Sequence, residues 1–160
     1  MMPSTNYESR LSALEVTLAS LAANVRVPAP VVTTWVPQLY QNGNRTSTVV
    51  YSRYYVLGKY AFVQVKLTCT AVGTAGNAVT VTGIPAAIAP VNFDATLLAA
   101  CGSGIVRRAA ITNYDCTLSA ASATDFQFIT GANNGQVGVL PNFALANTDT
   151  ISLVAVYEIA

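Results

Sequence analysis

The side chains that do most protein chemistry are scarce in this chain. It contains no histidine, so the commonest general base and every histidine-dependent triad are excluded. The carboxylates beyond the N-terminal segment are Asp94, Asp115, Asp125, Asp149 and Glu158. A pair of them would be needed for glycoside hydrolysis. Asp94, Asp115 and Asp149 instead stand beside Asn, Tyr or Thr near expected turns, where Asp caps the backbone. No spacing marks a catalytic pair. Cys69, Cys101 and Cys116 are widely separated, with no Cys-x-x-Cys pair and no histidine to complete a zinc site. We expect them to be free, buried thiols, since the expected assembly compartment is reducing. The glycines fit no phosphate- or dinucleotide-binding pattern, and no calcium-loop spacing occurs. Asn44-Arg45-Thr46 matches a glycosylation sequon, which has meaning only in a eukaryotic secretory route. The expectation is a protein with no catalytic residue, no metal and no cofactor.

Binding is the better source of function. Trp35, Tyr40, Tyr51, Tyr54, Tyr55 and Tyr60 crowd into one third of the chain, and such residues favour protein interfaces and sugar faces. Trp35, Tyr40, Tyr54 and Tyr55 are candidate partner-binding residues; filling the core is the alternative for each. Arg107 and Arg108 form the one adjacent basic pair, either meeting an acidic partner or standing in water. A single pair is no basic stripe, so nucleic acid is not an expected partner.

Composition points to self-association. Hydrophobic residues make up 52% of the chain and charged residues only 9%, against roughly 25% charged in an ordinary soluble domain. That excess of apolar surface favours an oligomer. Thr, Ser, Asn and Gly interrupt every apolar run before it reaches the roughly 20 residues of a spanning helix, so membrane insertion is not expected. The N-terminus lacks the basic stretch and apolar core of a secretory signal.

Tyr7, Leu11, Leu14, Leu18, Leu21 and Val25 recur at alternating intervals of four and three, the stripe of a left-handed coiled coil. Ser4, Thr5 or Asn6 can cap the helix, and Pro28 and Pro30 stop it. With Leu11 at position a, Arg10 falls at g and Glu15 at e, which pair across neighbouring helices. The run Arg10-Leu11-Ser12-Ala13-Leu14-Glu15 resembles the short trimerisation motif of coiled coils at each of its fixed positions. The trimer contacts expected are therefore Tyr7, Arg10, Leu11, Leu14, Glu15, Leu18, Leu21 and Val25. A helix packed on its own domain is the competing reading. With under three heptads, the coil needs the following domain for stability.

We divide the chain into a coiled-coil helix at 1–26, a Pro-rich linker at 27–32 and a β-domain at 33–160. Strands are predicted at Thr33–Leu39, Thr46–Val56, Tyr60–Ala71, Ala78–Thr82, Ile105–Thr112, Cys116–Ala120, Phe126–Thr130, Gln136–Leu140 and Thr150–Ile159. Turn signals stand at 41–44, 73–77 and 131–135. Many short strands without interleaved helices predict a mainly β fold, an antiparallel jelly-roll-like sandwich.

Within that domain, Thr34-Trp35-Val36-Pro37, Tyr51-Ser52-Arg53-Tyr54-Tyr55-Val56-Leu57-Gly58-Lys59 and Val63-Gln64-Val65-Lys66-Leu67 follow one another. Gly73-Thr74-Ala75-Gly76, Thr82-Gly83-Ile84-Pro85 and the closing Ala146–Leu153 stretch come after them. This order resembles β-domains of bacteriophage tail fibre, minor tail and capsid decoration proteins. The resemblance is one of architecture and turns, spread over most of residues 34–160. It implies a trimeric, non-enzymatic virion part, assembled in the host cytoplasm and displayed on the particle. Its expected partners are its own copies, other capsid or tail proteins, and a host-surface glycan or protein. A short coil without a long shaft points toward a capsid decoration or head-fibre protein beside the tail-fibre reading. The alternative function is a receptor-binding adhesin at the tail tip.

Overall fold

A computed structural model of the chain describes residues 12–17, 20, 29–94, 99–109, 111–131 and 135–160, without the side chains of Asn44 and Arg45. Residues 12–17 and 20 are helical and exposed. Tyr7, Arg10, Leu11, Leu18, Leu21 and Val25 lie outside the described residues.

From Thr33 on, the fold is mainly β. Its strands are β1 (Thr33–Thr34), β2 (Gln38–Tyr40), β3 (Asn44–Arg45), β4 (Ser47–Leu57), β5 (Tyr60–Cys69) and β6 (Thr80–Thr82). They continue as β7 (Ala100–Arg108), β8 (Thr112–Ala120), β9 (Asp125–Thr130), β10 (Gly135–Gln136) and β11 (Thr150–Glu158), with a 3₁₀ turn at Ala86–Ile88. All named pairs are antiparallel, and the ladder runs unbroken in the order β1-β4-β5-β11-β7-β8-β9-β6-β2-β3, with β10 beside β9. Where two stacked sheets were expected, one sheet curls until its two halves face each other.

Strict alternation drives the curl. Ala61, Val63, Val65, Leu67 and Cys69 of β5 point inward, as do Ile151, Leu153, Ala155 and Tyr157 of β11. From the other half come Leu39, Val81, Leu118, Phe126 and Phe128, in the same continuous core. Phe126 meets Tyr157 edge-on with ring centroids 5.6 Å apart, the geometry that ring quadrupoles prefer. Bulges between Val49 and Tyr51 and between Ala100 and Gly102 sharpen the bend.

Several strand assignments change: the strand predicted at Cys116–Ala120 begins at Thr112, and β3 lies where a turn signal ended. The strand predicted at Thr33–Leu39 splits into β1 and β2 around the buried Pro37, which has no N–H to give a ladder. The strand predicted at Ile105–Thr112 is displaced to Ala100–Arg108, because Gly102 and Gly104 are strand residues rather than a turn. A Cβ on Gly104 would sit 2.7 Å from the Phe128 ring, and one on Gly102 would strike the Val154 carbonyl. Gly104 thus makes room for the Phe128 ring, and Gly102 for the close approach of the neighbouring β11 backbone. The strand predicted at Gln136–Leu140 is reduced to Gly135–Gln136, since Gly138 turns the chain at φ +96°. Residues 91–94 and 99, where a helical turn or a loop was left open, hold no helix.

Candidate functional site

In β4, β5 and β11 the positions that alternate with the core form the outer face of the first half-sheet. Register places Leu57, Tyr60 and Glu158 in one row and Tyr55, Phe62 and Val156 in the next. Arg53, Gln64 and Val154 follow; the row beyond holds Tyr51, Lys66 and Ser152, extended by Ile105 of β7 and Asp115 of β8. Tyr55 and Phe62 stack flat, with centroids 4.6 Å apart and ring planes 4° from parallel. Arg53 donates from Nε to Gln64 Oε1 at 2.9 Å and lies 5.6 Å from the Tyr51 ring centre.

This face is apolar where an ordinary outer sheet face is polar. Leu57, Tyr60, Val154, Val156 and Ile105 are 44–53% exposed, and they adjoin one another. A depression of about 270 Å³ between Tyr55, Phe62, Val154 and Val156 is walled by Val32. The β11 run Leu153-Val154-Ala155-Val156-Tyr157 is continuously apolar. That is how strands covered on both faces read; within one chain, β11 is covered on one. Basic groups (Arg53, Lys66) stand on β4 and β5, and acidic groups (Asp115, Glu158) on β8 and β11.

The N-terminal segment enters along the same border. Ala29, Pro30 and Val31 line a second depression with Leu57 and Gly58, and Thr33 pairs with Tyr54. Leu14 is 62% and Val16 70% exposed, so the described helical residues do not pack on the β-domain. Glu15 is exposed as well.

The aromatic candidates are dispersed. Trp35 and Tyr54 contact each other edge-on at 5.7 Å and pack, half-buried, against the core. Tyr55 belongs to the outer apolar face, and Tyr40 lies on the opposite half-sheet, on β2. The basic pair is divided too, since consecutive strand residues point to opposite faces. Arg107 is exposed on the outer face. Arg108 turns inward, lies 4.7 Å over the Phe143 ring and approaches Asp149 Oδ2 at 3.9 Å. Its side chain keeps 20% exposure beside Asp149, so Arg108 is less open to a partner than Arg107.

Two buried polar residues that sequence reasoning passed over hold the loops. Gln41, fully buried, donates from Nε2 to the carbonyls of Asn77 (3.0 Å) and Phe143 (2.8 Å) and accepts from Leu145 N at 2.9 Å. Asp149 is 1% exposed and accepts from the backbone N–H groups of Ala109 and Ala146, both at 2.8 Å. Asp149 is thus a structural acceptor. Asp125 accepts the hydroxyls of Ser122 and Thr124, and Asp115 and Glu158 stand on the outer face. The carboxylates serve separate places in the fold.

None of the three cysteines forms a disulfide. Burial pushes the Cys101 thiol up to about 12 and the Cys116 thiol up to about 11, so neither is an activated nucleophile. Burial also raises the Tyr157 phenol, whose oxygen has no hydrogen-bond partner among the described residues. Among the described residues, no three His, Cys, Asp or Glu side chains converge as metal ligands would, and no helix is long and apolar enough to cross a membrane.

No family model, no curated protein and no solved structure matches this chain.

Proposed function

We infer that this chain is a non-enzymatic, homotrimeric structural protein of a bacteriophage particle, a surface fibre, spike or decoration module. The observation that carries the trimer is the apolar outer face bordering an N-terminal segment whose seam residue Leu14 is bare. The occupant of that face is a second copy of the chain. The face carries both signs of charge, Arg53, Lys66 and Arg107 with Asp115 and Glu158, for ion pairs between copies around its apolar rows. The coil at residues 1–26 sets the symmetry, with Arg10 and Glu15 pairing between chains, and the β-domains bury the remaining apolar surface. The two facing halves of the curled sheet serve as the layers of the jelly-roll-like sandwich.

The phage assignment rests on the resemblance of residues 34–160 to fibre, minor tail and decoration β-domains. The dispersal of the carboxylates and the raised thiols support a non-catalytic role. Antibody-gold labelling of particles of the encoding phage tests the assignment. Label over the head identifies a decoration or head-fibre protein, label along the tail a tail fibre, and label at the tail tip favours the adhesin reading. Particles free of label would overturn the virion role.

A further inference from the structure

The second half-sheet presents a different surface. Opposite the core-facing Leu39, Val81 and Phe126, the outward positions of β2, β6 and β9 are Tyr40, Thr80 and Gln127 in one row and Gln38, Thr82 and Asp125 in the next. Tyr40, Thr80, Thr82, Asp125 and Gln127 line an open groove of about 550 Å³. Asn42 and Asn77 flank it beside Tyr40, and Ser122 flanks it beside Asp125. This is the size range of small-ligand sites.

We propose that this groove binds a neutral hexopyranose, free or as a residue of a surface polysaccharide. Its polar groups are already oriented. Gln136 Nε2 donates to Gln127 Oε1 at 3.2 Å, which turns the Gln127 amide and leaves its N–H groups to a ligand. Asp125 Oδ2 accepts from Ser122 Oγ at 2.5 Å and from Thr124 Oγ1 at 3.2 Å, leaving Oδ1 as the acceptor for the ligand. Tyr40 is 39% exposed, so its ring can take the C–H face of a sugar while its hydroxyl stays wet.

The ligand class follows by elimination. Among the described residues, Asp125 is the sole charged side chain lining the groove, so phosphorylated or carboxylated ligands meet its repulsion. Tyr40 and two alanines are too little apolar surface for an acyl chain. An extended peptide would need a free sheet edge, yet β2, β6 and β9 each carry neighbours on both sides. A neutral pyranose matches what remains: paired hydroxyls for an amide and a carboxylate, and an apolar face for one ring. This site is independent of the trimer, so either inference can fail alone.

The test is nuclear magnetic resonance of the isotope-labelled full chain, titrated separately with glucose, galactose, mannose and N-acetylglucosamine to about 50 mM, since a single sugar on an open site binds in the millimolar range. At least one sugar is expected to give saturable shifts at Thr80, Thr82 and Gln127. Tyr40→Ala should weaken that binding about tenfold, and Tyr40→Phe, which keeps the ring, should stay within about threefold of the parent. Tyr60→Ala, on the other half-sheet, should bind as the parent does. If all four sugars leave these resonances unmoved, or if the shifts survive Tyr40→Ala undiminished, the proposal is overturned.

Discussion

The side-chain amide of Gln41 donates to the backbone carbonyl of Phe143 at 2.8 Å, joining the end of β2 to a loop 102 positions away. The same side chain holds the turn at Asn77 and the backbone of Leu145, and it lies against Gly73, where a Cβ would strike its oxygen. One residue thus ties two loops to the end of β2, including the turn that flanks the polar groove.

Gln41→Ala should therefore cost about 3 kcal/mol, because it strands two carbonyls and an N–H in the interior. Urea unfolding measures it. A loss below about 1 kcal/mol would mean that water replaces the amide at little cost.

Asp149 makes the corresponding prediction at the start of β11. Asp149→Ala leaves the N–H groups of Ala109 and Ala146 unpaired and Arg108 without its anion, a loss of about 2–4 kcal/mol. Asp149→Asn keeps an acceptor oxygen and should lose less. Equal losses in the two variants would show that packing, not hydrogen bonding, sets the cost.

Stability should fall on the alkaline side. Burial raises the thiols of Cys101 and Cys116, so the folded state favours their protonated forms. Their contribution is full below the ordinary thiol value of about 9 and is lost as pH rises toward the folded values of about 11 and 12. Thermal midpoints measured between those limits should decline, and less steeply in Cys101→Val. An identical slope in that variant would remove Cys101 from the account.

Charging the outer face should separate assembly from folding. Val154 and Val156 are about half exposed in one chain, so Val154→Glu with Val156→Glu should leave the circular dichroism of the β-domain unchanged while the trimer dissociates. A trimer that survives both carboxylates would place the interface elsewhere. Leu14→Asp with Leu18→Asp tests the coil in the same way, and a trimer of unchanged heat stability would show that the β-domain alone specifies assembly.

The legible part of this fold lay in period-two runs. The alternation of Val63, Val65 and Leu67 against Gln64, Lys66 and Thr68 gave β5 within two residues of its observed end. Glycine was misleading where packing rather than turning required it, at Gly102 and Gly104. The candidate site was less legible. A cluster of aromatics along the chain does not say which face each residue takes, and Trp35, Tyr40 and Tyr55 went to three places. Gln41 carries no local signal, because its partners are set by the closing of the sheet. The apolar run at 153–157 was the one trace of the outer face, and reading it required knowing that β11 is covered on one side only.

The most direct test of the central claim is the solution mass of the full chain, by light scattering or native mass spectrometry at neutral pH. The account predicts three times the chain mass of 16.7 kDa. A particle of a single chain would contradict it, leaving the outer face and the N-terminal helix without the partner proposed for them.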